Sequence, residues 1–380
     1  MEKVYILGGL RTPIVLKNGA FQQVQPEDFG AAVLRALLEK YKLDHVDAVI
    51  CGNAVGTGGN IARLMALKAG LPATVPAFTV DMQCASAALS IELAQAKIAS
   101  GQADLVIAGG LESASLQPLR AYHPKDHRYD EQLRGEYQVA QFSPEETDPL
   151  VMLKGAERTA QAEHISRQEL EAWALLSHQR AAASRKDGIL QELIVPVAGQ
   201  TEDDGIREKM SQRLLSRLPL LLGEGTSLTA GTSCLINDGA AMVVVCSERY
   251  WKAQGVRPIA MLTAALSCGG DPLESPRGAM AAADSLLKKQ GLSYEELTAI
   301  EFNEAFAVID VLFAHRFPRL TARYNSFGGA LAYGHPYGAS GAIILLHLLK
   351  ALEKNGGGLG LCSIAGAGGL GTALLTEWLP

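Results

Sequence analysis

The sequence predicts an α/β protein, and three observations carry that expectation. Short β-prone runs alternate with longer helical stretches through the first third of the chain and again through the last third. Alternation of this kind implies a mainly parallel sheet covered by helices on both faces. The two thirds also echo each other. Cys84-Ala85-Ser86-Ala87, a helical stretch and Leu-Val-Ile-Ala-Gly-Gly at 105–110 match Gly338-Ala339-Ser340-Gly341, a helical stretch and Leu-Cys-Ser-Ile-Ala-Gly at 361–366. Such a repeat points to an internal duplication in which each half supplies groups to one cleft. Finally, 380 residues at 48% hydrophobic and 19% charged are enough for two or three cores of ordinary globular composition.

Taken in order, Lys3–Leu7 reads as a strand, Pro26–Lys40 as a helix, Ala48–Gly52 as a strand and Ile61–Ala69 as a helix. Thr79–Gln83 is extended and Ala85–Ala99 helical, stopping before Gly101, and Leu105–Gly109 is the next strand. The later set repeats the plan: strand Ile259–Ala265, helix Pro276–Gln290, strand Ala299–Asn303, helix Ala307–Phe317, a helix led by His335 through Lys354, and strand Gly360–Ile364. Between the sets, residues 116–228 differ in character. They carry clustered charge around His123–Glu131, one long helical stretch over Leu153–Arg185 and few strand signals. This segment reads as an insertion, which divides the chain into 1–247, containing the insertion, and 257–380.

Composition excludes several functions. The net charge of −6, with no run of Lys or Arg, gives no nucleic-acid surface. No apolar stretch reaches the ~20 residues of a membrane span. The apolar run before Arg11 is short for a secretory signal and reads as the first strand. Cysteines 51, 84, 234, 246, 268 and 362 are scattered without paired spacing, which argues against a disulfide framework or a metal site and fits a reducing cytoplasm.

Chemistry concentrates at Cys84. An extended lead-in, Val80-Asp81-Met82-Gln83, gives way there to the small residues that open a helix. A thiol at a helix N-terminus faces unpaired N–H groups and the positive end of the dipole, so a lowered pKa is expected. Glu301-Phe302-Asn303-Glu304-Ala305-Phe306-Ala307 and the glycine-rich Asn325–Gly341, with His335 before Pro336, supply an amide and an imidazole far away in sequence. One Cys with a distant His and Asn is the pattern of a nucleophile, its base and an orienting group.

These residues resemble the thiolases, the acetyl-CoA acetyltransferases and 3-ketoacyl-CoA thiolases, from end to end. Arg11-Thr12-Pro13, Gly52–Gly56 with Asn60–Arg63, Gly109-Gly110-Leu111-Glu112-Ser113, Ser177–Ala181, Thr229-Ala230-Gly231 and Ile236–Ala241 occur in family order, as do Asn-Glu-Ala-Phe-Ala and Gly-His-Pro-x-Gly-Ala-Ser-Gly. The resemblance implies a five-layered α-β-α-β-α fold from two duplicated halves, with 116–228 as a loop domain over the active-site mouth. It implies a dimer or a tetramer of dimers, and acyl-CoA as substrate with no further cofactor and no metal. It makes Cys84 the covalent nucleophile and His335 its base, with Asn303 helping to hold an enolate oxygen. The N–H groups of Cys84 and of the Gly366–Gly371 turn would hold a tetrahedral intermediate. Phe306, Met152, Cys234, Ala365 and Ala367 are placed around the substrate.

One departure stands out. The family's second cysteine, which moves the proton on the substrate α-carbon, falls at Ala365, and a methyl carries no proton. Cys362 is three residues earlier, ~10 Å along a strand, and reads as a core residue. Ala87 and Cys234 replace a Gly and a Ser of the family. The expectation is therefore an acyl-CoA C-acyltransferase, with proton transfer slowed by something like 10²–10⁴-fold. The alternatives are a condensing, acyl-transfer or hydrolytic enzyme without thiolysis, and a degenerate acyl-CoA-binding scaffold.

Overall fold

The computed structural model describes residues 2–56, 59–144 and 147–379. Its first half runs β1 (Val4–Arg11), β2 (Val15–Leu16), α1 (Pro26–Lys40), β3 (Ala48–Gly52), α2 (Ile61–Lys68), β4 (Ala77–Val80), α3 (Ser86–Ala99) and β5 (Leu105–Glu112). The insertion holds β6 (Arg120–Ala121), β7 (Glu136–Tyr137), α4 (Val151–Ala162), α5 (Arg167–Lys186) and α6 (Gln212–Leu215). Then come β8 (Asn237–Ser247), α7 (Glu248–Gln254), β9 (Ala260–Gly269), α8 (Gly278–Gln290), β10 (Ala299–Phe302) and α9 (Ala307–Arg316). The chain closes with α10 (Ala330–Tyr333), α11 (Ser340–Lys354), β11 (Gly358–Gly366) and β12 (Leu370–Trp378).

The strands lie in the order β10-β11-β12-β9-β1-β8-β5-β3-β4, with β2 added on β8. The sheet is mixed rather than mainly parallel. Only β3 with β4, β3 with β5, and β10 with β11 are parallel; β5–β8, β8–β1, β1–β9, β9–β12 and β12–β11 are antiparallel. The reason is connectivity. A helical crossover returns a strand parallel, whereas β12 follows β11 through a tight turn and β8 follows β5 through the insertion. The duplication is visible in the ladders: β3–β5–β8–β1 is paired parallel, antiparallel, antiparallel, and β10–β11–β12–β9 repeats that pattern. Among the described residues the half-sheets pair where Tyr5 and Ile6 face Met261 and Ala260.

Three cores make five layers. In the middle, Ile91, Ala94 and Ile98 of α3 and Leu345, Leu348 and Leu352 of α11 pack between Val106 and Ala108 of one half-sheet and Cys362 and Ile364 of the other. Outside, α1 and α2 cover Val49, Ile107 and Val244. On the opposite side α8 and α9 cover Ile300, Leu361 and Leu375. Strands buried on both faces read as continuous apolar runs, as β5 and β8 do.

Several expected boundaries move: the strand expected over Thr79–Gln83 is Ala77–Val80, the one over Lys3–Leu7 runs on to Arg11, the one over Ile259–Ala265 runs on to Gly269, and the helix expected from Pro276 starts at Gly278. The single helix over Leu153–Arg185 is two. α4 ends at Ala162, His164 takes a left-handed φ of 54°, and Ser166 caps α5 in a reciprocal capping box with Glu169. The helix led by His335 begins at Ser340, leaving the histidine in the preceding loop. No helix among the described residues is long and apolar enough to cross a membrane.

Candidate active site

β4 leads into the turn that carries Cys84 and β10 into Asn303; the β11–β12 turn reaches the first through the Ala367 N–H, and the loop before α11 reaches the second through His335. In parallel α/β layers the carboxyl ends of strands are where side chains from different elements converge. Asp81 receives the N–H of Gln83 at 2.8 Å, Gln83 adopts φ 54°, and Ser86 Oγ accepts from Met82 N at 2.8 Å and donates to Gln83 O at 2.5 Å. This turn holds Cys84 two residues ahead of α3.

The expected lowering of the Cys84 pKa is not observed. Burial first, and then the nearby Glu112 charge, push the thiol up to about 12; the N–H groups of Cys84 itself and of Ala367 only partly offset this. Position explains the difference. The sulfur sits before the first helical residue, and the surrounding protein desolvates it more than the helix end favours its charge. The two opposing N–H groups nevertheless mark a spot beside the sulfur where a developing oxyanion would find donors. Ala367 is brought there because the β11–β12 turn lies on the Cys84 turn: a Cβ on Gly366 would stand 2.9 Å from Met82 O.

His335 is buried, and its N–H donates to Leu235 O at 3.1 Å and to Asn237 Oδ1 at 3.0 Å. Ser340 Oγ donates to Pro336 O at 3.0 Å, so the ring Nδ1–H donates to Ser340 Oγ at 2.6 Å. That leaves the lone pair on Nε2, 3.4 Å from Asn303 Nδ2. Burial lowers the imidazole pKa to about 3, so the ring is a neutral base. Asn303 is itself fixed by its N–H to Ser363 O at 3.0 Å.

The remaining residues take definite places. Phe306 is buried just before α9 in the apolar cluster that also contains Ala305 and Ala365, with Met152 and Cys234 half-buried against that cluster. Ala365 pairs with Gly371, and Cys362 lies in the central core three residues away, as expected of a structural cysteine. Glu304 is a tie rather than a reacting group. It receives Trp173 Nε1 at 3.2 Å, Ser177 Oγ at 2.5 Å and Asn325 Nδ2 at 3.1 Å, fastening α5 to the loop after β10.

Sequence reasoning did not single out Glu112, Ser340, Asn237 or Tyr337. Glu112 receives Asn53 Nδ2 at 2.8 Å, Ala54 N at 2.8 Å and Gly338 N at 3.0 Å, locking the His335 loop to the first half. Burial raises its pKa to about 7. The Tyr337 ring stands edge-on to His335 at 4.9 Å, and its hydroxyl feels the charges of Cys234, Cys84 and Glu112. The available signal was a polar residue inside an otherwise apolar or small-residue run, because a buried polar group must find a partner.

Family models describe both parts of the chain: the thiolase N-terminal domain matches residues 4–249 and the thiolase C-terminal domain residues 256–378. The chain is 33% identical to the steroid 3-ketoacyl-CoA thiolase of Mycobacterium tuberculosis, covering 100% of this chain and 95% of that protein. It is 33% identical to a putative acetyl-CoA C-acetyltransferase of Staphylococcus haemolyticus, covering 99% of each, and 36% identical to a probable acetyl-CoA acyltransferase of Staphylococcus aureus, covering 93% of each. Two similar solved structures are the Bacillus anthracis acetyl-CoA acetyltransferase and human mitochondrial 3-ketoacyl-CoA thiolase. Each has a TM-score of 0.91 and 28% identity over 100% of this chain and 99% of that one. These matches define an acyltransferase enzyme, and the chain belongs to the thiolase family.

Proposed function

We propose that the chain forms or cleaves a 3-ketoacyl-CoA such as acetoacetyl-CoA through a thioester on Cys84. The observation that carries this reading is the neutral His335, its Nε2 lone pair set beside Asn303 and its ring packed edge-on to Tyr337, whose hydroxyl in turn feels the charge of Cys84. A thiol held near 12 does not ionise unaided at neutral pH, so its proton must leave as the sulfur attacks, and a fixed neutral imidazole can take it. Cys84 N–H and Ala367 N–H would receive the oxyanion, and His335 with a water held by Asn303 would hold the enolate oxygen of the second acyl group. Donors of this kind supply ~3–4 kcal/mol each. The thioester substrate brings its own activation, so the reaction asks for no resident cofactor or metal.

The methyl of Ala365 favours a second reading, acyl transfer or hydrolysis without thiolysis, with a non-catalytic acyl-CoA-binding subunit as its limit. Intact-mass measurement after incubation with acetyl-CoA tests the first against the last. One acetyl group is expected on the wild type and none on Cys84→Ser; no adduct on the wild type would remove the catalytic reading. Thiolysis of acetoacetyl-CoA by CoA then separates thiolase activity from simple transfer.

The same reading takes 1–247 and 257–380 as the two domains, and 116–228 as the cover over the acyl-CoA. The backbone carbonyl of Phe142 lies 3.2 Å from where a Cβ on Gly368 would stand, so the insertion does reach the β11–β12 turn. A cytoplasmic location in acyl-chain metabolism fits six free cysteines. A homodimer, alone or paired into a tetramer, fits the edge strand β4, where Phe78, Thr79 and Val80 are half-buried, beside Leu64 and Leu67 of α2, exposed at 46% and 44%.

A further inference from the structure

Making or breaking the carbon–carbon bond requires a proton to leave or reach the substrate α-carbon, in addition to the proton that His335 exchanges with Cys84. Ala365 has none to exchange. Among the six cysteines, Cys51 and Cys246 are buried within β3 and β8, and Cys362 is sealed in the central core. Cys268 stands on β9 opposite Gly371, two strands across from Ala365.

Cys234 is placed differently. It lies in a short extended segment stapled between the two catalytic loops. Its N–H donates to Ala305 O at 3.0 Å, Thr232 O accepts from Ala307 N at 3.0 Å, and Leu235 O accepts from His335 N at 3.1 Å. Ser233 bridges Phe306 and Ile236 bridges His335 in the same run. Cys234 is half-buried against the cluster that contains Ala365 and Phe306. We infer that Cys234 is the second proton carrier, the thiol that serves the substrate α-carbon from the segment joining the Asn303 and His335 loops. This rests on the thioester reading above.

The electrostatics agree with the geometry. Burial and the charge of Cys84 both raise the Cys234 pKa, so the two sulfurs are close enough to sense each other and Cys234 rests protonated. In the thiolysis direction His335 takes the Cys84 proton and the sulfur attacks the 3-keto carbon. The C2–C3 bond then breaks, its electron pair takes the proton from Cys234 Sγ–H, and acetyl-CoA leaves. Cys234 thiolate next takes the proton of incoming CoA–SH. The CoA sulfur attacks the Cys84 thioester, the shortened acyl-CoA departs, and Cys84 recovers its proton from His335. Protons and electron pairs balance with no outside reagent. The cysteine at 234 and the alanine at 365 are then one exchange, the thiol moving between two positions against the same apolar cluster.

The test compares wild type with Cys234→Ala, Cys234→Ser, Tyr337→Phe and the double variant Cys234→Ala with Ala365→Cys. Three readouts are used: acetyl transfer to Cys84 by intact mass, uptake of deuterium from D2O into the acetyl-CoA methyl, and thiolysis of acetoacetyl-CoA. Near pH 9 a CoA sulfur departs as thiolate, whereas a carbon does not, so acetyl transfer should fall at most about tenfold in Cys234→Ala. Exchange and thiolysis should fall about 10²–10⁴-fold. Serine, similar in volume but a far weaker acid, should behave like alanine and serves if the alanine variant folds poorly. The double variant should recover exchange at least about tenfold. Exchange within threefold of wild type in Cys234→Ser, or equal losses in all three readouts, overturns the inference. So does loss of exchange in Tyr337→Phe alone, or a wild type that acylates without exchanging. A wild type that forms no thioester overturns the thioester reading itself, a separate outcome.

Discussion

At residue scale, Cys84 shows how burial overrides a local helix effect. A thiol held near 12 is about 10⁻⁵ ionised at pH 7, so its reactivity toward a small alkylating agent follows the thiolate fraction. With the base removed in His335→Ala, iodoacetamide labelling of Cys84, tracked by peptide mass, is expected to rise roughly tenfold per pH unit from 7 to 10 without levelling off. A plateau below pH 8 would contradict the structure. The imidazole argument is equally specific. Ser340 fixes the tautomer by occupying Nδ1, so Ser340→Ala frees the ring to tautomerise and turn. Cys84 acetylation should slow by about tenfold, whereas Ser340→Thr, which keeps an Oγ, should retain most of it. The sequence already displayed these side chains within its motifs. Their protonation states were hidden, because those depend on what surrounds each group in three dimensions.

At element scale, the break between α4 and α5 comes from a cap that competes with helix propagation. The Ser166–Glu169 box satisfies the start of α5, and the chain can enter it only by placing His164 in the left-handed region. His164→Gly removes the Cβ penalty and is expected to stabilise by about 0.5–1 kcal/mol in urea unfolding; Ser166→Ala should cost about 1 kcal/mol. Contact between the two halves is stricter. A Cβ on Gly338 would lie 2.6 Å from Leu111 O and 2.7 Å from Asn53 Cα, backbone atoms that cannot swing away. Gly338→Ala should therefore cost about 1–3 kcal/mol and displace the His335 loop, lowering both melting temperature and Cys84 acetylation. Helices such as Pro26–Lys40 and strands such as Ala48–Gly52 were legible to the residue, since propensity, period and flanking breakers agree there. The Leu153–Arg185 stretch was misjudged because good helix formers run straight through a break that depends on one capping interaction.

At the scale of the whole molecule, the central layer seals a histidine that plays no part in the proposed chemistry. His347 of α11 is buried with Nε2 unpartnered, its ring edge-on to Tyr333 at 5.1 Å. Burial and then Arg11 lower its pKa to about 3, with Asp203 opposing. The unfolded chain binds this proton below about pH 6.5 and the folded chain only near 3, so the stability it leaves intact at pH 7 is lost as pH falls through that window. At pH 5 the loss is about 2 kcal/mol. His347→Leu should therefore narrow the difference in unfolding free energy between pH 7.5 and 5 relative to wild type; an unchanged difference would show that the ring is already charged in the fold. The α/β class, the duplication and the motifs that carry Cys84, Asn303 and His335 were legible in the sequence alone, because local propensity and short-range pattern are written residue by residue. Strand direction, the raised thiol, the imidazole tautomer and the placing of Cys234 between two distant loops were decided only by tertiary structure. Each depends on desolvation or on hydrogen bonds set by segments brought together from distant parts of the chain, as Val4 is with Ser247 and Glu112 with Gly338, and no linear pattern encodes such separations.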